Sequence, residues 1–199
     1  MLTGITDKGA ARLAAPFTFR LLLWCACLPV SAQSANCPAD NPGEYVRVSH
    51  VYDGDTVKLD DGRKLRLIGI NTPEKGYREA ADQPMAEAAR QALDNLLDSH
   101  NQRLQLQYGR QRHDRYGRLL AHAFLGNGAN VAVHLLDKGL AITTVVPPND
   151  WGTHCYQAVE QEARKAARGL WNLTDYRSLE ARLLPPETSG FHIVHGRIN

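Results

Sequence analysis

Apolar and polar residues alternate with a period of two from Tyr45 to Tyr52, the pattern of a strand with one buried face. Thr56–Leu59 and Lys64–Ile68 repeat it on either side of Asp60-Asp61-Gly62-Arg63, whose Asp-Gly pair predicts a hairpin turn. These three strands form a meander. The period then lengthens. Met85, Ala88/Ala89, Ala92/Leu93 and Leu96/Leu97 recur at helical spacing, with Asp82 as the expected cap and Pro84 in the first turn. Two more strands are predicted over Arg103–Tyr108 and Leu119–Leu125. Gly126-Asn127-Gly128 then turns the chain into a short helix that Asn130 begins and Gly139 ends. A brief apolar segment, Ala141–Val146, leads to Pro147-Pro148. A last helix is expected from Thr153 to Arg168, with Tyr156, Val159, Ala163, Ala166 and Leu170 on one stripe and Gly169 as its stop.

Three strands, a helix, two strands and then helices is the order of an OB-fold. The expected class is therefore α+β, a five-stranded OB-fold β-barrel with three packed helices. Element order carries that reading; periodicity alone would suit other small α+β domains. Past Trp171 the character changes, through Pro185-Pro186 and a Ser-Gly turn to Phe191–Ile198, which reads as one further strand. That strand either joins a barrel edge or begins an incomplete module, and the second is the expectation. The divisions expected are a leader over 1–36, a domain over 37–171 and an extension over 172–199.

Composition changes this picture in two places. Hydrophobic residues at 43 % and charged residues at 22 % are those of a globular chain and exclude a disordered one. The formal net charge of +2 is carried by the first 36 residues, where Lys8, Arg12 and Arg20 face Asp7 alone. From Cys37 onward basic and acidic residues balance, so any attraction for phosphate is local. The basic segment ending at Arg20, the apolar run Leu21–Leu28, and the small residues Ser31, Ala32 and Ser34 read as a cleaved signal peptide. At about ten residues the run is short for a membrane span, the alternative along with a buried helix. Cleavage implies a periplasmic or secreted protein with no stable membrane association. It also removes Cys25 and Cys27, leaving Cys37 and Cys155 to pair in an oxidising compartment, with two buried thiols as the alternative.

Three clusters carry candidate chemistry. Asp53-Gly54-Asp55-Thr56 sets two carboxylates on one side of an extended chain, which suits a hard cation or, more plainly, a solvated turn. Arg66 lies within an apolar strand, just before the oxygen-rich Ile70-Asn71-Thr72-Pro73-Glu74. A buried arginine needs a carboxylate or a phosphate. Arg110–Arg118 holds four arginines in nine residues, an anion-binding loop or a flexible turn. Together these are the parts of phosphodiester hydrolysis: a cation and arginines on the phosphate, and a carboxylate to activate water. His192 and His195 are three apart in a predicted strand and face opposite sides, which argues against a metal pair. His113 and His122 read as loop and barrel-surface residues.

The segments Val51–Val57, Leu65–Glu74 and Asp114-Arg115-Tyr116-Gly117-Arg118 resemble, in order and spacing, the thermonuclease family of staphylococcal-nuclease-like enzymes, over about residues 44–171. The resemblance implies an OB-fold and a Ca2+-dependent phosphodiesterase that cuts DNA and RNA and leaves 3′-phosphate ends, acting as a monomer. It implies that Asp55 binds Ca2+ with Asp53 supporting it, that Asn71 stands at a metal-binding position and that Thr72 offers its backbone carbonyl. Glu74 falls on the general base, Arg66 and Arg118 on the two phosphate-gripping arginines, and Tyr116 with Arg115 beside the nucleotide. Two departures stand out. Asn71 is neutral where the family enzyme has an aspartate, which implies weaker Ca2+ binding. Ala141–Val146 has no aromatic where tyrosines lie against the nucleotide. The alternative reading is a non-catalytic OB module that binds nucleic acid or a partner.

Overall fold

The computed structural model describes Met1, residues 36–76, 78–186 and 194–195. The expected leader therefore lies almost wholly outside the described residues. Among the described residues no helix is long and apolar enough to cross a membrane.

Strands β1 (Tyr45–Val51), β2 (Thr56–Leu59) and β3 (Lys64–Leu67) form the antiparallel meander that the alternation predicts. Val46, Val48, Val51, Val57, Leu59, Leu65 and Leu67 point inward and are buried. A two-residue strand, β4 (Ile70–Asn71), follows at once and leaves the barrel. Helix α1 (Ala86–Asp98) buries Ala86, Ala89, Leu93 and Leu97 and packs on β1 and on the second helix. Strands β5 (Arg103–His113) and β6 (Leu119–Phe124) complete a closed barrel in the order β1-β2-β3-β6-β5. The β3–β6 pairing is parallel, Leu65 opposite Leu119 and Arg66 opposite Leu120, and β1 closes on β5. A barrel in this order with helices at its connections is the expected OB-fold.

Helix α2 (Val131–Asp137) starts where Asn130 accepts hydrogen bonds from the Ala132 and Val133 N–H groups. Gly139, with φ of 65°, stops it in a left-handed turn that lets the Leu140 and Gly139 N–H groups reach the Leu135 and Leu136 carbonyls. Strand β7 (Ile142–Thr143) pairs with β4, and helix α3 (Thr153–Lys165) packs on α2 and β7. Cys37 and Cys155 form a disulfide that ties the segment before β1 to α3.

Three expectations need correction. Asp82 does not cap α1: Met85 stands at that position without a side-chain bond, and Asp82 instead accepts from Lys75 and the Gly76 N–H. Helix α3 ends three residues before Arg168, because Ala167 takes a left-handed conformation (φ 49°) and the Arg168 N–H turns back to the Ala163 carbonyl. His122 is not a surface residue. It is 2 % exposed, held by the Tyr156 hydroxyl at 3.0 Å and covered by Trp151.

In the extension, Tyr176 is buried and donates to the Pro84 carbonyl at 2.7 Å, so packing onto the domain continues past Trp171. Leu179–Glu180 (β8) pairs in parallel with Val194–His195 (β9). The rest of the strand expected over Phe191–Ile198, with His192, lies outside the described residues.

Candidate active site

The site grows from the open end of the meander. Between β1 and β2 the chain turns through Asp53-Gly54-Asp55, where an Asp53 Oδ1 accepts the Asp55 N–H at 2.9 Å. Gly54 is required here, since a Cβ would fall 2.8 Å from both Thr72 Cγ2 and Ala89 Cβ. The absent side chain lets the turn press against α1 and against the segment after β4.

That contact buries Asp55, which is 1 % exposed. One of its oxygens accepts from the Thr72 N–H at 2.8 Å and the Thr72 hydroxyl at 3.1 Å and meets Arg66 at 3.0 Å; the other accepts from the Thr56 hydroxyl. Arg66 reaches Asp55 because it faces outward on β3 opposite Thr56 of β2. It also donates to Asn71 Oδ1 at 2.7 Å and to the Leu67 and Ile70 carbonyls. Asn71 is placed by the β4–β7 ribbon, and α3 anchors that ribbon through Glu160, whose carboxylate accepts the Thr143 N–H at 2.6 Å and pairs with Arg164.

Glu74 is only partly covered, and its main chain is clamped by Gln83: the Glu74 N–H donates to Gln83 Oε1 at 2.8 Å and the Gln83 N–H to the Glu74 carbonyl at 3.1 Å. Arg118 comes from the β5–β6 connection. Asp114 accepts from the Tyr116 and Arg118 N–H groups, both at 2.9 Å, and from Arg118 Nε at 2.6 Å, so one carboxylate folds the loop and aims the guanidinium. Tyr116 is 68 % exposed, with the Arg115 guanidinium 4.8 Å from its ring centre.

These pieces converge. Arg66, Arg118, Arg115 and Tyr116 line one cavity of about 500 Å³ with Thr144 and Val146. Electrostatics tie in the carboxylates. Partial burial raises the Glu74 pKa and Asp53 adds to the rise, while Arg66 and Arg118 both pull it down, so both guanidinium groups act on this carboxylate. Burial pushes the Asp55 pKa up; Arg66 opposes, Asp53 adds to the rise, the Thr72 N–H opposes and Glu74 adds again. Three acids thus share an unfavourable concentration of negative charge.

Of the sequence-predicted site residues Arg66, Arg115, Tyr116 and Arg118 line the cavity, while Asp55, Asn71 and Thr72 join it through their contacts with Arg66 and with one another; Thr72 also holds Asp55 in place through its N–H and hydroxyl. Sequence reading missed Asp114 as the orienter of Arg118, Gln83 as the clamp of Glu74, and Thr144 and Val146 as cavity walls. The Asp-x-x-Gly-Arg spacing carries a signal for the first, because a short carboxylate before a turn bonds to the N–H two residues on. Nothing local marks the others.

Whether the residues suit a metal is a question of donors. Among the described residues no group of three His, Cys, Asp or Glu side chains could hold an ion alone. A cation would therefore draw on Asp55, the Asn71 amide and backbone carbonyls. All are hard oxygens, the donor type a hard cation takes with water completing its shell, and Arg66 is the cation that Asp55 and Asn71 now hold.

A family model described as staphylococcal nuclease homologue matches residues 64–173, more than half of the chain. This chain belongs to the staphylococcal nuclease homologue family. It is 38 % identical over 137 residues to the thermonuclease of Staphylococcus intermedius, an alignment covering 66 % of this chain and 79 % of the relative. With the thermonuclease of Staphylococcus hyicus the identity is 33 % over 143 residues, covering 70 % and 82 %. Endonuclease YncB of Bacillus subtilis (strain 168) is 33 % identical over 135 residues, 66 % of this chain and 63 % of the relative. The closed barrel with three helices agrees with that membership.

Proposed function

We propose that this protein is an exported, Ca2+-dependent nuclease that hydrolyses DNA and RNA with weak sequence preference and leaves 3′-phosphate ends. Its relatives named as thermonucleases and endonucleases support a nuclease acting on nucleic acid. The observation that carries the mechanism is that Arg66 and Arg118, from unrelated parts of the fold, line one cavity and both act on Glu74.

In this reading Glu74 is the general base. Its raised pKa strengthens it as a proton acceptor, and it takes the proton of the water that attacks phosphorus. Arg66 and Arg118 donate to the non-bridging oxygens, where charge builds as the pentavalent species forms and the bond to the 5′ oxygen breaks. Asp55 and Asn71, with the Thr72 carbonyl and with Asp53 supporting Asp55, would hold the cation, which when bound would add its charge against the phosphate. Thr72 and Thr56 keep the Asp55 oxygens oriented. Tyr116 and Arg115 border the nucleotide, and Thr144 and Val146 line the same cavity where the family has aromatic residues. Residues 1–36 act as the leader, 37–171 as the nuclease domain and 172–199 as an extension. The protein works as a monomer outside the cytoplasm, and the Cys37–Cys155 disulfide supports an oxidising destination.

The test is incubation of purified protein with denatured DNA and with RNA, in Ca2+ and then in chelator, with end-group analysis. Cutting in Ca2+ alone that leaves 3′-phosphates is expected. Binding without cutting in both conditions would select the non-catalytic module.

A further inference from the structure

We propose that the outer face of the β1–β2–β3 meander is a second contact surface for the substrate, binding the single-stranded nucleic-acid chain beyond the cleaved phosphodiester through Lys58, Lys64 and Tyr52. The proposal rests on the nuclease reading and adds a place for the rest of the strand.

Register builds the surface. With Val57, Leu59, Leu65 and Leu67 inside the barrel, Lys58 and Lys64 stand outside and exposed. His50 is opposite Lys58, and Lys58 is opposite Lys64, so the three form a row across three strands. With strands about 4.8 Å apart the row is roughly 10 Å wide. Tyr52 completes it. The Lys64 ammonium lies 5.0 Å from its ring centre, and the His50 ring meets it edge-on at 4.8 Å.

Placing Lys58 against Lys64 is unfavourable in itself, because like charges opposite one another in an antiparallel pair repel. The fold does not relieve this: among the described residues neither lysine pairs with a carboxylate. The acids of the adjoining turn are engaged elsewhere, Asp60 with Arg47 at 3.6 Å and Asp61 with Arg63 at 2.7 Å. From Cys37 onward the chain has no net charge, so this row is a local excess of positive charge rather than part of a general one.

The row is also continuous with the site. Lys64 and Arg66 face the same side of β3 two residues apart, about 7 Å along the strand. Tyr52 directly precedes Asp53. A chain with one phosphate at Arg66 therefore brings its neighbouring phosphates to Lys64 and Lys58 and a base or sugar to Tyr52. Cations beside an aromatic ring, leading from a phosphate-binding arginine, match a single strand, whose backbone is anionic and whose bases stack.

The experiment compares the wild type with Lys58→Ala/Lys64→Ala in the full chain, on long single-stranded DNA and on a nitrophenyl ester of thymidine phosphate, too short to reach the row. For the double variant KM on the long strand should rise about tenfold with kcat unchanged, and both constants on the ester should stay the same. The slope of log Kd against log salt for the labelled strand, read by fluorescence anisotropy, should become shallower by about 1.4. The thermal midpoint should hold or rise, since a like-charge pair is removed. Equal losses on both substrates, or an unchanged KM and salt slope, would overturn the proposal. If the wild type cuts neither substrate in Ca2+, the nuclease reading fails, and anisotropy alone then decides the surface. A shallower slope in the double variant supports it, and equal slopes refute it.

Discussion

Arg66 and Arg118 reach the same cavity from two kinds of support. Arg66 belongs to the barrel: its side chain is 14 % exposed, and it faces Asp55 at 1 % within a cluster that also holds Thr56, Thr72 and Asn71. Arg118 belongs to a loop, its side chain 31 % exposed against 17 % for Asp114, and that one carboxylate supplies both the turn and the aim. In the proposed function a charge in the first setting is part of the fold as well as of the chemistry. In the second the charge has little bearing on stability, because solvent screens what the pair contributes, and the proposed chemistry is its main role.

That difference can be broken or sharpened by experiment. The largest effect is expected for Arg66→Ala, which should lower kcat on denatured DNA by about 10²–10³-fold and also cost about 3 kcal/mol in urea unfolding, since it leaves Asp55 buried without its partner. Arg118→Ala should lower kcat by a similar factor of about 10²–10³ while leaving the urea midpoint nearly unchanged. Equal losses of stability in the two variants would erase the distinction.

Acid tests the covered side of β6, with the His122 variant as the control for other titrating groups. Burial holds the His122 pKa down at about 4, against 6.5 for an exposed imidazole. As pH falls the unfolded chain takes up that proton first. The stability tied to the neutral ring is complete above about pH 6.5 and is lost as pH drops through 4, amounting to at most about 3 kcal/mol. Urea midpoints from pH 7 to 4 should show this slope in the wild type and a flatter one in His122→Gln.

Asp114→Ala should reduce kcat about tenfold through lost aim of Arg118, with the melting curve held. A full-rate variant would show that Arg118 finds its position without the carboxylate. The smallest change is expected for Asn71→Asp, which should tighten Ca2+ binding several-fold by calorimetry through added ligand charge. Identical affinities would remove residue 71 from the cation site.

Much of this architecture was legible from the chain because it is local. The alternation of Tyr45–Tyr52, the Asp-Gly turn and the helical stripe from Ala86 to Leu97 each follow from which side chains must leave water. The stop of α3 at Ala167 was not legible, since it depends on an alanine adopting a conformation that glycine usually takes. Burial of His122 was equally hidden, because Trp151 and Tyr156, which cover it, come some thirty residues later.

The amino-acid order by itself determined which residue types the site would contain: oxygen donors at Asp53, Asp55 and Asn71, a carboxylate at Glu74 and arginines at 66 and 118. These are the groups that the proposed hydrolysis of a phosphodiester would use, and their spacing keeps each set on a single turn or strand end. Only the folded molecule decided that the two arginines share a cavity and that Arg66 also meets Asp55 and Asn71. Parallel pairing of β3 with β6 carries Arg118 toward Arg66 across more than fifty residues. The close approach allowed at Gly54 brings Thr72 onto Asp55. Both are long-range contacts, set by the packing of barrel against helix, and no pattern within a short stretch of chain encodes them.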